Sequence, residues 1–161
     1  MLEIGANVVY PMHGGAHITG IDIHEHDGEK KKYYILKMLC SDMVVSIPVD
    51  NAEKLGLRAI VKTSVINKVA EALKDKPDLN KIKAISWNRR LQFYISRLKT
   101  GDIIEVAKIY KTLVCLDVEK RISVGERRLL HTAKNIVESE LMLVKNFDEQ
   151  TAEKWLEKNM K

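Results

Sequence analysis

The sequence predicts an α+β protein, with a small β module over residues 1–62 followed by an all-helical part over residues 63–161. Three observations carry that division. Before Thr63, short runs of β-branched and aromatic residues are interrupted every few positions by Pro, Gly or an Asp-Gly pair. After it, apolar residues recur at i, i+3, i+4 and i+7, as on the buried face of a helix. Charge divides at the same place: residues 1–62 carry seven Lys/Arg against eight Asp/Glu, and residues 63–161 carry twenty against fourteen.

Taken in order, Val8-Val9-Tyr10 is a short strand stopped by Pro11, and His13-Gly14-Gly15 supplies a flexible turn. Ile18 to Ile23 is a second strand. His26-Asp27-Gly28-Glu29 then reads as a hairpin, because Asp-Gly accepts the positive φ such turns require. Tyr33 to Cys40 is the most apolar strand. Ser41-Asp42 turns the chain into Met43 to Pro48, where proline, lacking an N–H, ends the pairing, and Leu57 to Val61 adds one more short strand. Strands this short, joined this tightly, make a strongly bent sheet or small barrel. A Thr63-Ser64 cap opens the first helix, which carries Val65, Ile66, Val69, Ala70 and Leu73 and closes at Lys76-Pro77-Asp78. The next runs from about Ser86 to Leu98 and ends at Gly101. Asp102 with Glu105, and Ser123 with Glu126, have capping-box spacing and open two further helices. A last helix spans about Glu149 to Asn159.

A chain of 161 residues, 45% hydrophobic and 30% charged, can bury a core without disulfide or metal support. Cys40 and Cys115 stand far apart, outside any C-x-x-C spacing, and read as buried thiols. No signal-like leader precedes Val8 and no apolar run reaches membrane-spanning length, so the expectation is a cytoplasmic protein. His13 with His17 and His24 with His26 are the nearest approach to metal-ligand spacing. Neither pair lies on a predicted helix or has further ligands to complete a tetrahedral set. Nucleophile elbows, phosphate-binding glycine loops and zinc-protease signatures are absent, and the carboxylates concentrate at helix starts. The expectation is a binding protein, not an enzyme, with no cofactor.

Residues 81–134 hold thirteen basic side chains against five acidic ones, a balance that favours a polyanion. Within that segment Ser86-Trp87-Asn88-Arg89-Arg90 sets a large flat indole beside two guanidinium groups. Arginine forks grip phosphate, and an aromatic ring beside them can stack on a base or wedge into a base step. The alternative is packing: Trp87, Leu91, Tyr94 and Leu98 fall on one helical face, and spacing alone favours a core role for the ring. Arg127-Arg128 open the Ser123 helix, where cations oppose the helix dipole and so serve a partner better than the fold. A merely solvated basic face is the other reading of these charges.

Val8-Val9-Tyr10-Pro11-Met12-His13-Gly14, Tyr34-Ile35-Leu36-Lys37, Ile47 to Glu53 with Gly56-Leu57-Arg58, Ser86 to Arg90 and Ser123 to Arg128 together resemble the CarD/CdnL family of bacterial transcription regulators, in order and over nearly the whole chain. The resemblance implies a Tudor-like (SH3-like) barrel over residues 1–62 that docks on the β subunit of RNA polymerase. It implies, over residues 63–161, a helical DNA-binding domain that contacts promoter DNA upstream of the −10 element without reading sequence. Trp87 would wedge into the minor groove at the upstream edge of the melted bubble, with Arg89 and Arg127 at family positions on the DNA backbone; the basic-patch reading adds Arg90 and Arg128 to the DNA-binding residues, and the protein is expected to act as a monomer. Ile23, His24, Ser46 and Ile47 would lie on the docking edge. His24 and Ser46 stand where some relatives have arginines, and Gln92 replaces another basic position. His24 at a docking edge would bring pH sensitivity near neutrality. A structural RNA-associated protein using the same basic helices is the alternative function.

Overall fold

Five antiparallel strands precede six helices in the computed structural model, which describes residues 1–161. The strands are β1 (Asn7–Tyr10), β2 (Gly14–His26), β3 (Glu29–Met38), β4 (Val44–Pro48) and β5 (Arg58–Ala59). The helices are α1 (Thr63–Lys74), α2 (Leu79–Lys83), α3 (Trp87–Leu98), α4 (Ile103–Val118), α5 (Val124–Lys145) and α6 (Glu149–Met160). The fold is α+β, as the hydrophobic periods predict.

The sheet order is β4-β3-β2-β1-β5, so β4 and β5 are its two edges. A 3-10 turn at Val49–Asn51 leads from one edge toward the other, and Ala52 and Leu57 from that connection join Val8, Ile18, Leu36 and Ile47 in the sheet's core. Asp27 and Gly28 both take positive φ in the β2–β3 hairpin, as the Asp-Gly pair requires. One irregularity resets the sheet. The register shifts between Ile18 and Gly20, so that Ile18 faces Leu36 but Gly20 faces Ile35 and Ile21 faces Tyr34. The extra residue, Thr19, moves the inward set of β2 from even to odd positions.

Several elements depart from the sequence reading. Gly14 and Gly15 belong to β2, paired with Tyr10 and Val9, and the turn is made by Pro11, Met12 and His13. Glycine is required there for a reason the sequence alone hides. A Cβ on Gly15 would lie 3.0 Å from the Ser139 carbonyl oxygen of α5, and one on Gly14 would lie 2.5 Å from Ser139 Oγ. The predicted Thr63-Ser64 cap is displaced: Lys62 is the N-cap of α1 and its side chain makes no capping bond. Asp102 caps α4 by accepting from the Ile104 N–H, while Glu105 turns to Lys108. Helix α2 was not anticipated, and is held by Asp78 accepting from the Lys81 N–H. Cys40 and Cys115 are separate, half-buried free thiols, and burial pushes Cys40 up to about 11, so it stays protonated at neutral pH.

Helix α5 is the shared wall between sheet and helices. It contributes Ala133, Ile136, Val137 and Leu141 to a helical core that also contains Ile66, Leu73, Tyr94, Leu98, Val106 and Leu113. The same helix grips the sheet through polar groups. Gly15 N–H donates to Ser139 Oγ at 2.7 Å. Arg58 of β5 donates from Nη1 and Nη2 to the two carboxylate oxygens of Glu140, both at 2.7 Å, and from Nε to the Gly101 carbonyl. Val61 N–H fills a further acceptor position on Glu140, which is 0% exposed.

Removing that carboxylate takes the counter-charge from Arg58, whose guanidinium keeps only the Gly101 and Ala59 carbonyls, and leaves the Val61 N–H without a partner at the seam. Glu140→Ala is expected to lower unfolding free energy by about 3–5 kcal/mol, measured by urea denaturation.

Candidate nucleic-acid interface

Trp87 is the first residue of α3, and its indole is 48% exposed. The helical stripe that predicts a core ring is real further along: Tyr94 and Leu98 are buried and Leu91 is half-buried against the core. Trp87 overhangs the end of that stripe. Its ring edge is nevertheless held. Nε1–H donates to Ser123 Oγ at 3.0 Å, and a methyl group at Gly125 would meet Cζ2 at 3.6 Å, so this edge lies along the opening turn of α5.

Ser123 is saturated by its bonds. Its Oγ accepts from Trp87 Nε1–H and from the Glu126 N–H, and its hydroxyl donates to Glu126 Oε1, using the one donor and two lone pairs a serine hydroxyl has. The predicted Ser123–Glu126 capping box is complete in both directions. Glu126 is 0% exposed, and its charge is met by Arg90 Nη2 at 3.2 Å and by the Tyr94 hydroxyl at 3.2 Å. Burial and the adjacent Glu126 carboxylate raise the Tyr94 phenol well above its ordinary range, so it remains a donor.

The four predicted arginines therefore divide. Arg89 and Arg128 are exposed and form no ion pair. Arg127 is exposed and paired with Asp117 at 3.1 Å. Arg90, which the sequence groups with them, is turned inward onto Glu126 and the Ile85 carbonyl, because a buried carboxylate on α5 needs a counter-charge. Sequence reasoning also missed Val124. It is 73% exposed at the start of α5, between Ser123 and Gly125; the signal was an aliphatic residue directly after a serine N-cap, outside the core stripe.

On the sheet, directly paired residues share a face, which sorts the four predicted docking residues. His24 pairs with Lys31 and Ser46 with Ile35, and both lie on the outer face, exposed. Ile23 pairs with Lys32 on the opposite face and is 61% exposed, since the hairpin projects beyond β4. Ile47 is corrected: it pairs with Tyr34 inside the core and is 2% exposed, so its side chain is not available to a partner. His13 stacks on Tyr10, and His17 bonds Asn7, which places the histidines of the first turn in separate local roles.

The family model described as "CarD, C-terminal domain" matches residues 68–157, more than half of the chain, and the model described as "CarD-like/TRCF RID domain" matches residues 2–61. This chain belongs to the CarD family. Among curated proteins, YdeB of Bacillus subtilis (strain 168), described as a candidate transcription factor, is 29% identical over 150 residues, covering 93% of this chain and 96% of YdeB. Within this CarD-family chain the "CarD-like/TRCF RID" match ends two residues before α1, and the C-terminal match contains Trp87, Arg89, Arg90, Arg127 and Arg128.

If Ser123 holds the ring, Ser123→Ala costs about 1 kcal/mol through the lost cap and also releases the indole. The expected result is a shifted, faster-exchanging Trp87 Nε1–H resonance by NMR, in a chain that remains folded.

Proposed function

We propose that this protein is a transcription regulator that docks on the β subunit of bacterial RNA polymerase through its sheet and stabilises the open promoter complex by wedging Trp87 into the minor groove at the upstream edge of the bubble. The observation that carries the reading is the state of Trp87: a large ring left half in solvent, yet tied at its only polar atom, in a chain whose Arg89 and Arg128 are exposed and form no ion pair. An apolar wedge of this kind unstacks a base step at a cost of a few kcal/mol, least where stacking is already interrupted. Arg89, Arg127 and Arg128 position it on phosphates and carry no sequence information. Arg90 acts one step back, as the counter-charge that keeps Glu126, and through it Ser123, in place.

Docking uses the outer sheet face with His24 and Ser46, Ile23 on the projecting hairpin, and the free edge of β4, whose outward backbone groups are open to a partner strand. Residues 1–62 are the polymerase-binding unit and residues 63–161 the DNA-binding unit, in a protein acting as a monomer. The mechanism needs no catalytic group and no cofactor. Binding the open complex better than the closed one by about 1.4 kcal/mol shifts the equilibrium tenfold. Tethering to polymerase raises the local concentration of the helical unit, so weak DNA affinity is sufficient.

Trp87→Ala is expected to cost only about 1–2 kcal/mol of stability, because half the ring is already in water, and to shorten open-complex lifetime in a purified transcription system. A loss of about 3–5 kcal/mol would return the ring to a packing role. Arg89→Gln and Arg128→Gln should each weaken duplex binding across sequences and reduce the log–log salt slope by about one. Preference of the wild-type chain for single-stranded RNA over duplex DNA would favour the RNA-associated alternative.

A further inference from the structure

Two cations on the basic side of the helical part are already occupied. Arg127 Nη2 lies 3.1 Å from Asp117 Oδ1, and Lys83 is paired with Glu119. All four charges involved stand near the α4–α5 turn or face it from α2. Asp117 lies in the last turn of α4, which holds no basic residue, and Glu119 is that helix's C-cap. A helix C-terminus favours cations, so both carboxylates oppose their own helix dipole. Arg127, four residues after the α5 N-cap, opposes its own in the reverse sense. Charges set against both helices are poorly explained as devices for stability.

Exposure points the same way. Arg127 and Asp117 are 53% and 39% exposed, so water screens the pair and holds it loosely. A guanidinium in that state can exchange one carboxylate oxygen for a phosphate that offers two. Arg89, Arg121 and Arg128 are exposed without such a partner and are free to meet DNA at once.

We propose that Asp117 and Glu119 are internal stand-ins for DNA phosphate. In the free protein they occupy Arg127 and Lys83 and keep affinity for bulk duplex low; they give up the two cations where polymerase docking already holds promoter DNA against this face. The proposal rests on the DNA reading above and adds its selectivity for polymerase-bound promoter over other duplex. It makes two acidic residues brakes whose removal strengthens binding, an effect that a damaged fold does not mimic.

The test is duplex binding by the full chain, measured with a short fluorescent duplex over a salt series, for wild type, Asp117→Asn, Arg127→Gln and the double variant. Asp117→Asn is expected to tighten binding by about three- to tenfold at low salt and to steepen the log–log slope by about one, and to do so only when Arg127 is present. Glu119→Gln with Lys83→Gln repeats the cycle for the second pair. An equal gain from Asp117→Asn in the Arg127→Gln background would make Asp117 a diffuse repulsive charge and overturn the proposal, as would no gain or a loss with Arg127 in place. No duplex binding by wild type or by either single variant would overturn the DNA reading itself, and this proposal with it.

Discussion

A carboxylate with no exposure to solvent must be neutralised where it stands, and α5 carries two of them, Glu126 and Glu140. Each is answered by an arginine from a different part of the chain: Glu126 by Arg90 of α3, Glu140 by Arg58 of β5. The two positions are fourteen residues apart, about 21 Å along a helix and turned by only a small angle from one another. Helix α5 is therefore a rod with an ion pair at each end of one side. One end grips the sheet; the other grips the helix that presents Trp87. A buried pair of this sort adds little to stability relative to a well-packed apolar contact, but it accepts only one geometry. Its use here is to set the sheet and the indole at a defined separation and orientation.

That separation matters for any partner that touches both ends. The sheet side of the seam is crowded as well as charged, since Gly14 and Gly15 allow β2 to approach α5 more closely than any side chain would permit. Arg58 also donates to the carbonyl of Gly101, the residue that breaks the chain between α3 and α4. Helix α3 is thus tied to the sheet from both of its ends, through Gly101 directly and through Arg90, Glu126 and α5. On the proposed function, attachment of the sheet to polymerase then specifies where the indole lies, with little orientational freedom left to lose when DNA is engaged.

Much of this was legible in the sequence, for identifiable reasons. The Ser123–Glu126 box and the Asp27-Gly28 hairpin are local chemistry, complete within four residues, and both form as read. Pairings between distant residues were not legible. Nothing near Arg90 in sequence marks it as a counter-ion, because Glu126 lies 36 residues away, and a pair of adjacent arginines looks alike whether one or both face solvent. Ile47 was misassigned for a related reason. An alternating strand declares that every second residue is inward but not which set, and that choice is made by pairing with Tyr34 on β3. On β2 even the alternation changes phase, at the Thr19 bulge. The one local signal for the short α2 is its Asp78 cap, too weak beside Pro77 to separate from a turn.

Trp87 shows how a correct pattern can lead to the wrong environment. Its spacing with Leu91, Tyr94 and Leu98 belongs to a buried face, and a ring two turns further into α3 would have been enclosed. The helix begins at the tryptophan, however, so the stripe runs past the edge of the bundle and the indole is left beside the opening turn of α5. Stability does not call for this. Leaving half of so large a ring in water forgoes on the order of 1–2 kcal/mol of apolar burial, and one neutral hydrogen bond to Ser123 recovers about 1 at most. Nor does the bond make the ring mobile; it draws Nε1 against a hydroxyl whose other two bonds are both to Glu126, which Arg90 and Tyr94 hold in turn. A side chain kept out of the core and yet denied free rotation is positioned for contact with something outside the molecule. On the proposed function that contact is apolar where the ring meets it and anionic where the exposed, unpaired Arg89 and Arg128 do. A base step between two phosphate rails has that profile.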